Sequence, residues 1–100
     1  MGIWPVRITE HEKNVIVGAV RKADASAGVW LFGSRTDDGK KGGDIDIGIL
    51  SQRIGFMEEI EIRQAICDEI GDQRVDIVVS RSGNEAFFRH VVAKGIQLDG

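Results

Sequence analysis

The sequence predicts an α/β (α+β) fold: one small mixed β-sheet with helices on one face. Three observations carry this. Helical hydrophobic spacing recurs in separated blocks, short apolar runs stand between them, and the run "DIDIGIL" at 44–50 alternates strictly. The chain has 100 residues, enough for one core, and is expected to form a single domain over 1–100.

The elements follow in chain order. "TEHE", Thr9 to Glu12, fits a capping box, in which the Thr and Glu side chains satisfy free N–H groups at a helix start. Val15, Ile16, Ala19, Val20 and Ala23 then recur at helical spacing, so a helix is expected over 9–25. Val29 to Phe32 is a short apolar run closed by Gly33, which reads as a buried strand. Residues 35–43 are polar and contain Gly39, Gly42 and Gly43, a loop. In "DIDIGIL" the residues Ile45, Ile47 and Ile49 take one face, and Asp44, Asp46 and Gly48 the other. A second helix is expected over 55–70, stopped by Gly71. "RVDIVVS" at 74–80 is a third strand, with Val75, Ile77 and Val79 on one face. A third helix is expected over 84–94, closed by Gly95, with "IQL" as a short last strand.

Composition narrows the function classes. Apolar residues make up 42% and charged residues 29%, an ordinary balance for a globular chain. No apolar run approaches bilayer length and no signal peptide is visible, so no membrane association is expected. Cys67 is the only cysteine, which rules out an internal disulfide and fits a cytoplasmic setting. The net charge of −3 argues against gripping long nucleic acid through many phosphates.

The chemistry concentrates around 33–46. Asp44 and Asp46, two residues apart on a strand, share a face and can reach one point in space. Two such anions repel, and a divalent cation resolves the repulsion; hard carboxylate oxygens suit Mg²⁺ bound together with substrate phosphates. Asp76, inside "VDIV", is the natural third carboxylate, provided its strand lies next to the first pair with the same face turned. Gly33-Ser34 opens a turn whose N–H groups can form an anion nest, with the serine hydroxyl as a further donor. A phosphate cradle beside metal carboxylates describes a nucleoside-triphosphate site.

"LFGSR", followed after eight residues by "DIDI" and later by "VDIVV", resembles the minimal nucleotidyltransferases of the DNA polymerase beta superfamily. The resemblance runs from the first helix to Phe87-Phe88 and implies the palm-like nucleotidyltransferase fold. It also implies transfer of a nucleoside monophosphate from a triphosphate to a hydroxyl, with two Mg²⁺ ions and ATP as the expected substrate. Gly33 and Ser34 would hold the triphosphate, joined by Arg35 and Gly43. Asp44 and Asp46 would bind both metals, and Asp76 would complete the metal that activates the acceptor. The chain departs from the pattern in its loop. Thr36, Asp37 and Asp38 precede Gly39 where many relatives carry Arg-Gly, and Gly43 stands where many carry Ser.

The shortest members of that superfamily pair with a small helical HEPN-like protein and act as the antitoxin, some by placing AMP on a toxin tyrosine. The resemblance therefore implies a protein acceptor. This chain has no tyrosine, so a tyrosine acceptor belongs to another molecule. A non-catalytic antitoxin that neutralises its partner by occlusion is the second reading. Transfer to a small hydroxylated molecule is the third, although that chemistry usually needs an added helical domain. A homo-oligomer is left open. His11 and His90 read as structural or exposed, Cys67 as a core or boundary residue, and Trp4, Trp30, Phe87 and Phe88 as core or partner-packing groups.

Overall fold

The computed structural model describes residues 9–32, 45–71 and 74–99. They form α1 (Glu10–Ala23), β1 (Gly28–Phe32), β2 (Ile45–Leu50), α2 (Phe56–Ile70), β3 (Val75–Ser80), α3 (Ala86–Lys94) and β4 (Ile96–Gln97). The capping box at Thr9 is made as the sequence predicts. The Glu12 amide donates to the Thr9 hydroxyl at 3.0 Å, and the Thr9 amide donates to the Glu12 carboxylate at 2.9 Å. Helix α1 ends at Ala23, two residues earlier than expected, because Asp24 leaves the helix to accept the Ser26 amide at 3.0 Å. Helix α3 starts at Ala86, not 84. The Ser80 hydroxyl first accepts the Gly83 amide at 2.7 Å and donates to Glu85, a turn in which Gly83 takes a φ of 77°.

The sheet order is β3-β2-β1-β4. Strand β1 is antiparallel to β2 and β4, while β2 and β3 run parallel, joined by the α2 crossover. The sheet is therefore mixed, as the sequence predicts. Ile45, Ile47 and Ile49 are fully buried on one face with Val29, Leu31 and Val75, under Ile16 and Val20 of α1 and Ile62 and Ile66 of α2. The C-terminal end is tied back to β1: the Leu98 amide donates to the Val29 carbonyl at 2.9 Å, and Asp99 pairs with Arg21 of α1 at 3.0 Å.

One expectation needs correction: helices on a single face. That holds for α1 and α2, but α3 lies on the opposite face of the sheet. Phe88 and Val91 of α3 are buried there with Trp30, packed against Phe32 and Leu50. The reason is Gly48. A side chain at that position would begin 2.8 Å from the Val91 methyl and 3.2 Å from the Phe88 ring. Only a bare backbone lets α3 settle onto β2, and Trp30 and Phe32 supply the apolar surface beside it.

Candidate active site

The face that α3 covers in part is the face that carries the aspartates. In β2 the same alternation that buries Ile45 and Ile47 turns Asp46 and Gly48 to this side. In the parallel register Asp46 lies directly opposite Asp76. In the antiparallel register Asp46 also lies opposite Phe32. One row across the sheet thus reads Asp76, Asp46, Phe32 on neighbouring strands, each about 4.8 Å from the next in backbone spacing. The geometric condition on Asp76, an adjacent strand with its polar face turned the same way, is met.

Helix α3 covers the next row, Val78, Gly48 and Trp30, and leaves the carboxylates open. Asp46 is half-buried, and the Asp76 side chain is 47% exposed, with Arg74 at 3.5 Å as an ion-pair partner. That pair is exposed on both sides, so it contributes little to stability and yields readily to a better cation. Two carboxylates brought side by side in a partly desolvated row repel each other. As hard oxygen donors in an accessible place they fit Mg²⁺. Among the described residues no three Asp, Glu, His or Cys side chains converge on one point. The described part of the site is a pair. Gly33, Ser34, Arg35, Gly43 and Asp44 lie outside the described residues.

Sequence reasoning missed the aromatic side of this row. Phe32 and Phe87 meet edge to face, with ring centroids 5.8 Å apart and planes at 81°. Phe88, the next residue of α3, instead meets Trp30 at 5.6 Å and 86° inside the small second core. The available signal was the alternation of Val29 and Leu31 with Trp30 and Phe32, which places two aromatic rings on the aspartate face. The histidines fall as expected: His11 and His90 are both exposed. Cys67 is partly buried and packs against the main core.

A groove of about 900 Å³ lies at the opposite end of the strands, bordered by Asp24, Gly28, Ser51, Arg53 and Arg81. Its acidic groups, Asp24 and Asp99, are already committed, Asp99 to Arg21 at 3.0 Å. The Ser51 hydroxyl donates to Asp24 at 2.6 Å and accepts the Arg53 and Ile54 amides at 3.0 and 3.1 Å. The hydrogen bond from Ser51, then that from the Ser26 amide, holds the Asp24 carboxyl below its usual value of 3.8 against the effect of burial. The carboxylates of this groove are thus tied into the fold, whereas the Asp46–Asp76 row is the accessible carboxylate pair. No helix among the described residues is long and apolar enough to cross a membrane.

Comparison with known proteins bears on the family of the chain. No curated protein matches the chain closely enough to supply a relative. The family described as "Polymerase beta, Nucleotidyltransferase" matches residues 14–99, which include the four described strands and the Asp76–Asp46–Phe32 row. The chain belongs to the polymerase beta nucleotidyltransferase family.

Proposed function

We propose that this chain transfers AMP from ATP to a hydroxyl of a protein partner, and that it does so as the antitoxin of a pair with a small helical HEPN-like toxin. The observation that supports the transferase part is the register that sets Asp46 beside Asp76 on a stretch of sheet that α3 leaves open. Asp44, Asp46 and Asp76 would hold Mg²⁺, while Gly33, Ser34, Arg35 and Gly43 would hold the triphosphate. A bound Mg²⁺ would supply Lewis-acid stabilisation of the phosphate oxygens and ease ionisation of the acceptor hydroxyl.

The remaining steps follow from the chain's own groups. The acceptor oxygen attacks the α-phosphorus and forms a new P–O bond. The bond from that phosphorus to the bridging oxygen breaks, and pyrophosphate departs with the electron pair. The acceptor's proton leaves toward the Asp46–Asp76 side, where Asp76 is accessible enough to receive it or to orient the group that does. Positioning in line is the larger part of such catalysis. A rigid strand pair provides that positioning better than a loop would.

The occlusion reading has one observation of its own. On α2, away from the aspartate face, Phe56 is 74% exposed, Met57 62% and Ile60 41%. Three large apolar side chains within one helical turn or so form a patch suited to a protein partner. One assay separates the readings. The chain, the candidate partner, ATP and Mg²⁺ are incubated together and the intact partner is weighed. Transfer adds one AMP to the partner, and Asp46→Asn removes that gain. Neutralisation of the partner with no added mass would overturn the transferase reading in favour of occlusion.

A further inference from the structure

Helix α2 divides its apolar residues between two faces. Ile62 and Ile66 belong to the main core and are buried. Phe56, Met57 and Ile60 are exposed. Ile60 lies four positions after Phe56 and three after Met57, so the three side chains neighbour one another on the helix surface. Leaving them in water forgoes the stabilisation that burial would give. The charge of the same helix is one-sided. Glu58, Glu59, Glu61, Asp68 and Glu69 stand against Arg63 alone, five carboxylates and one cation, a net of −4 where the whole chain has −3. Arg63 is turned to the sheet and donates to the Val75 carbonyl at 3.0 Å. Lys22 of α1 borders the cleft that Glu61 also lines, and offsets one charge at most. The negative surplus of the chain is therefore concentrated on the helix that carries this apolar patch.

We propose that the N-terminal half of α2 is the docking surface for a basic helix of a partner protein, one that sets apolar side chains on Phe56, Met57 and Ile60 and flanks them with Lys and Arg. This deepens the partner part of the proposed function and rests on it. A ridge of side chains at this spacing packs into the groove of another helix. Charge then selects among the possible occupants. A second copy meeting it patch to patch would bring two helices of net −4 together, and anionic lipid or nucleic acid would be repelled in the same way. A basic partner gains twice, by apolar contact at the centre and by attraction at the rim. The place of the patch matters as well. Helix α2 packs on the sheet face opposite α3, and Phe56 stands at the end that follows β2, away from Asp46 and Asp76 at the leading end of the strands. A partner held there leaves the carboxylate row open, so docking and transfer are compatible in one complex.

The test uses the full chain and three synthetic probes: an amphipathic helical peptide of Leu and Lys, a Leu–Glu peptide of the same pattern, and a Leu–Lys peptide of the same composition with the pattern scrambled. Binding is measured by calorimetry for the wild type, for the double variants Phe56→Ser with Ile60→Ser and Glu59→Gln with Glu61→Gln, and for Asp46→Asn. Circular dichroism checks that each is folded. Glu58 is left in place because its carboxylate accepts the Gly55 amide at 2.9 Å at the helix start. The wild type should bind the patterned Leu–Lys peptide about tenfold more tightly than the scrambled one, and the Leu–Glu peptide not at all. The serine pair should weaken the Leu–Lys peptide by about tenfold. The glutamine pair should weaken it less and flatten its dependence on salt. Asp46→Asn should bind it as the wild type does, which keeps this result separate from the transfer assay. Equal binding of patterned and scrambled peptides, or no loss in the serine pair, overturns the docking surface and leaves the transferase reading untouched. A wild type that sediments as a dimer, and as a monomer once Phe56 and Ile60 are serine, overturns it in favour of a second copy. Absent transfer beside pattern-dependent peptide binding upholds the docking surface and sinks the transferase reading instead.

Discussion

Strands β2 and β3 carry polar groups at both ends, and the two ends treat them differently. At the leading end Asp46 and Asp76 sit side by side, half-buried and half-exposed, in a row that α3 leaves open. At the trailing end Asp24 is 8% exposed, Ser51 4% and Ser80 2%, and each is closed into hydrogen bonds with its neighbours. The trailing groups link elements: α1 to the start of α2 through Asp24 and Ser51, and β3 to α3 through Ser80 and Glu85. The lesson is that a carboxylate in a small sheet is read by how it is satisfied. A carboxylate closed in by donors from its own chain holds the fold together, whereas two carboxylates side by side on an accessible face repel each other and suit a cation. Substitutions at the two ends should therefore fail in different ways.

The largest difference is expected in activity. On the proposed reading, Asp46→Asn should lower transfer by roughly a hundredfold or more, since it would remove a ligand of the proposed cation. Its melting temperature should stay level or rise slightly, because the change relieves repulsion with Asp76. Asp76→Asn should behave alike in activity. Transfer rate and thermal melting on the same samples check both. An Asp46→Asn variant that melts far below the wild type while keeping its rate would reverse the assignment of the two ends.

Next in size is the attachment of α3, the element that stops short of the carboxylates. Phe88→Ala removes a ring that is 1% exposed and edge-on to Trp30. The expected cost is about 3–5 kcal/mol, read by urea unfolding. That is a large share of the stability of a domain this size, roughly 5–15 kcal/mol. A cost near zero would mean that the second core contributes little and that α3 is held by its turn alone.

How far the sequence foretold this arrangement depends on which signal each part left. The helices and strands were legible because their patterns are local: a capping box at Thr9, alternation in 44–50, a glycine stop at Gly71. Asp76 was legible as a candidate from its place within its strand, but its meeting with Asp46 depends on the parallel pairing of β2 with β3, which the sequence states only as a condition. The position of α3 was not legible, because it depends on a missing side chain at Gly48 and on aromatic residues of a different strand. The link from Asp24 to Ser51 spans 27 positions in sequence and joins two segments that look like ordinary turns. Contacts of that kind are set by the packing of whole elements and leave no periodicity to read.

Ser51→Ala tests the trailing end directly. It strips the hydroxyl from Asp24 and leaves the Arg53 and Ile54 amides without their acceptor. A loss of about 1–3 kcal/mol is expected. At roughly 4–8 °C per kcal/mol for a domain of this length, that is readily seen in a melt. The transfer rate, measured well below the melting point, should be unaffected. Ser51→Thr keeps the hydroxyl and should recover most of the stability. A fall in rate without a fall in stability would place Ser51 in the reaction and erase the contrast between the ends.

The smallest effect is a dependence on pH that belongs to one end. The Asp24 carboxyl is held below its ordinary 3.8, first by the Ser51 hydroxyl, then by the Ser26 amide, with Arg53 helping and burial opposing. Below 3.8 the unfolded chain therefore takes up the Asp24 proton before the folded one does. Stability from this group is fully present above 3.8 and drains away as pH falls through the depressed folded value. Glu85, lowered from 4.5 chiefly by the Ser80 hydroxyl, acts in the same direction from a slightly higher starting point. Asp24→Asn removes the first of these contributions. Urea unfolding of wild type and Asp24→Asn at pH 7 and at about pH 3 should show the gap between them narrowing at the lower pH. Ser51→Ala should narrow it in the same way, because it removes the hydrogen bond that contributes most to the shift. A gap that stayed constant with pH would mean that Asp24 stabilises the fold by shape alone and not through its charge.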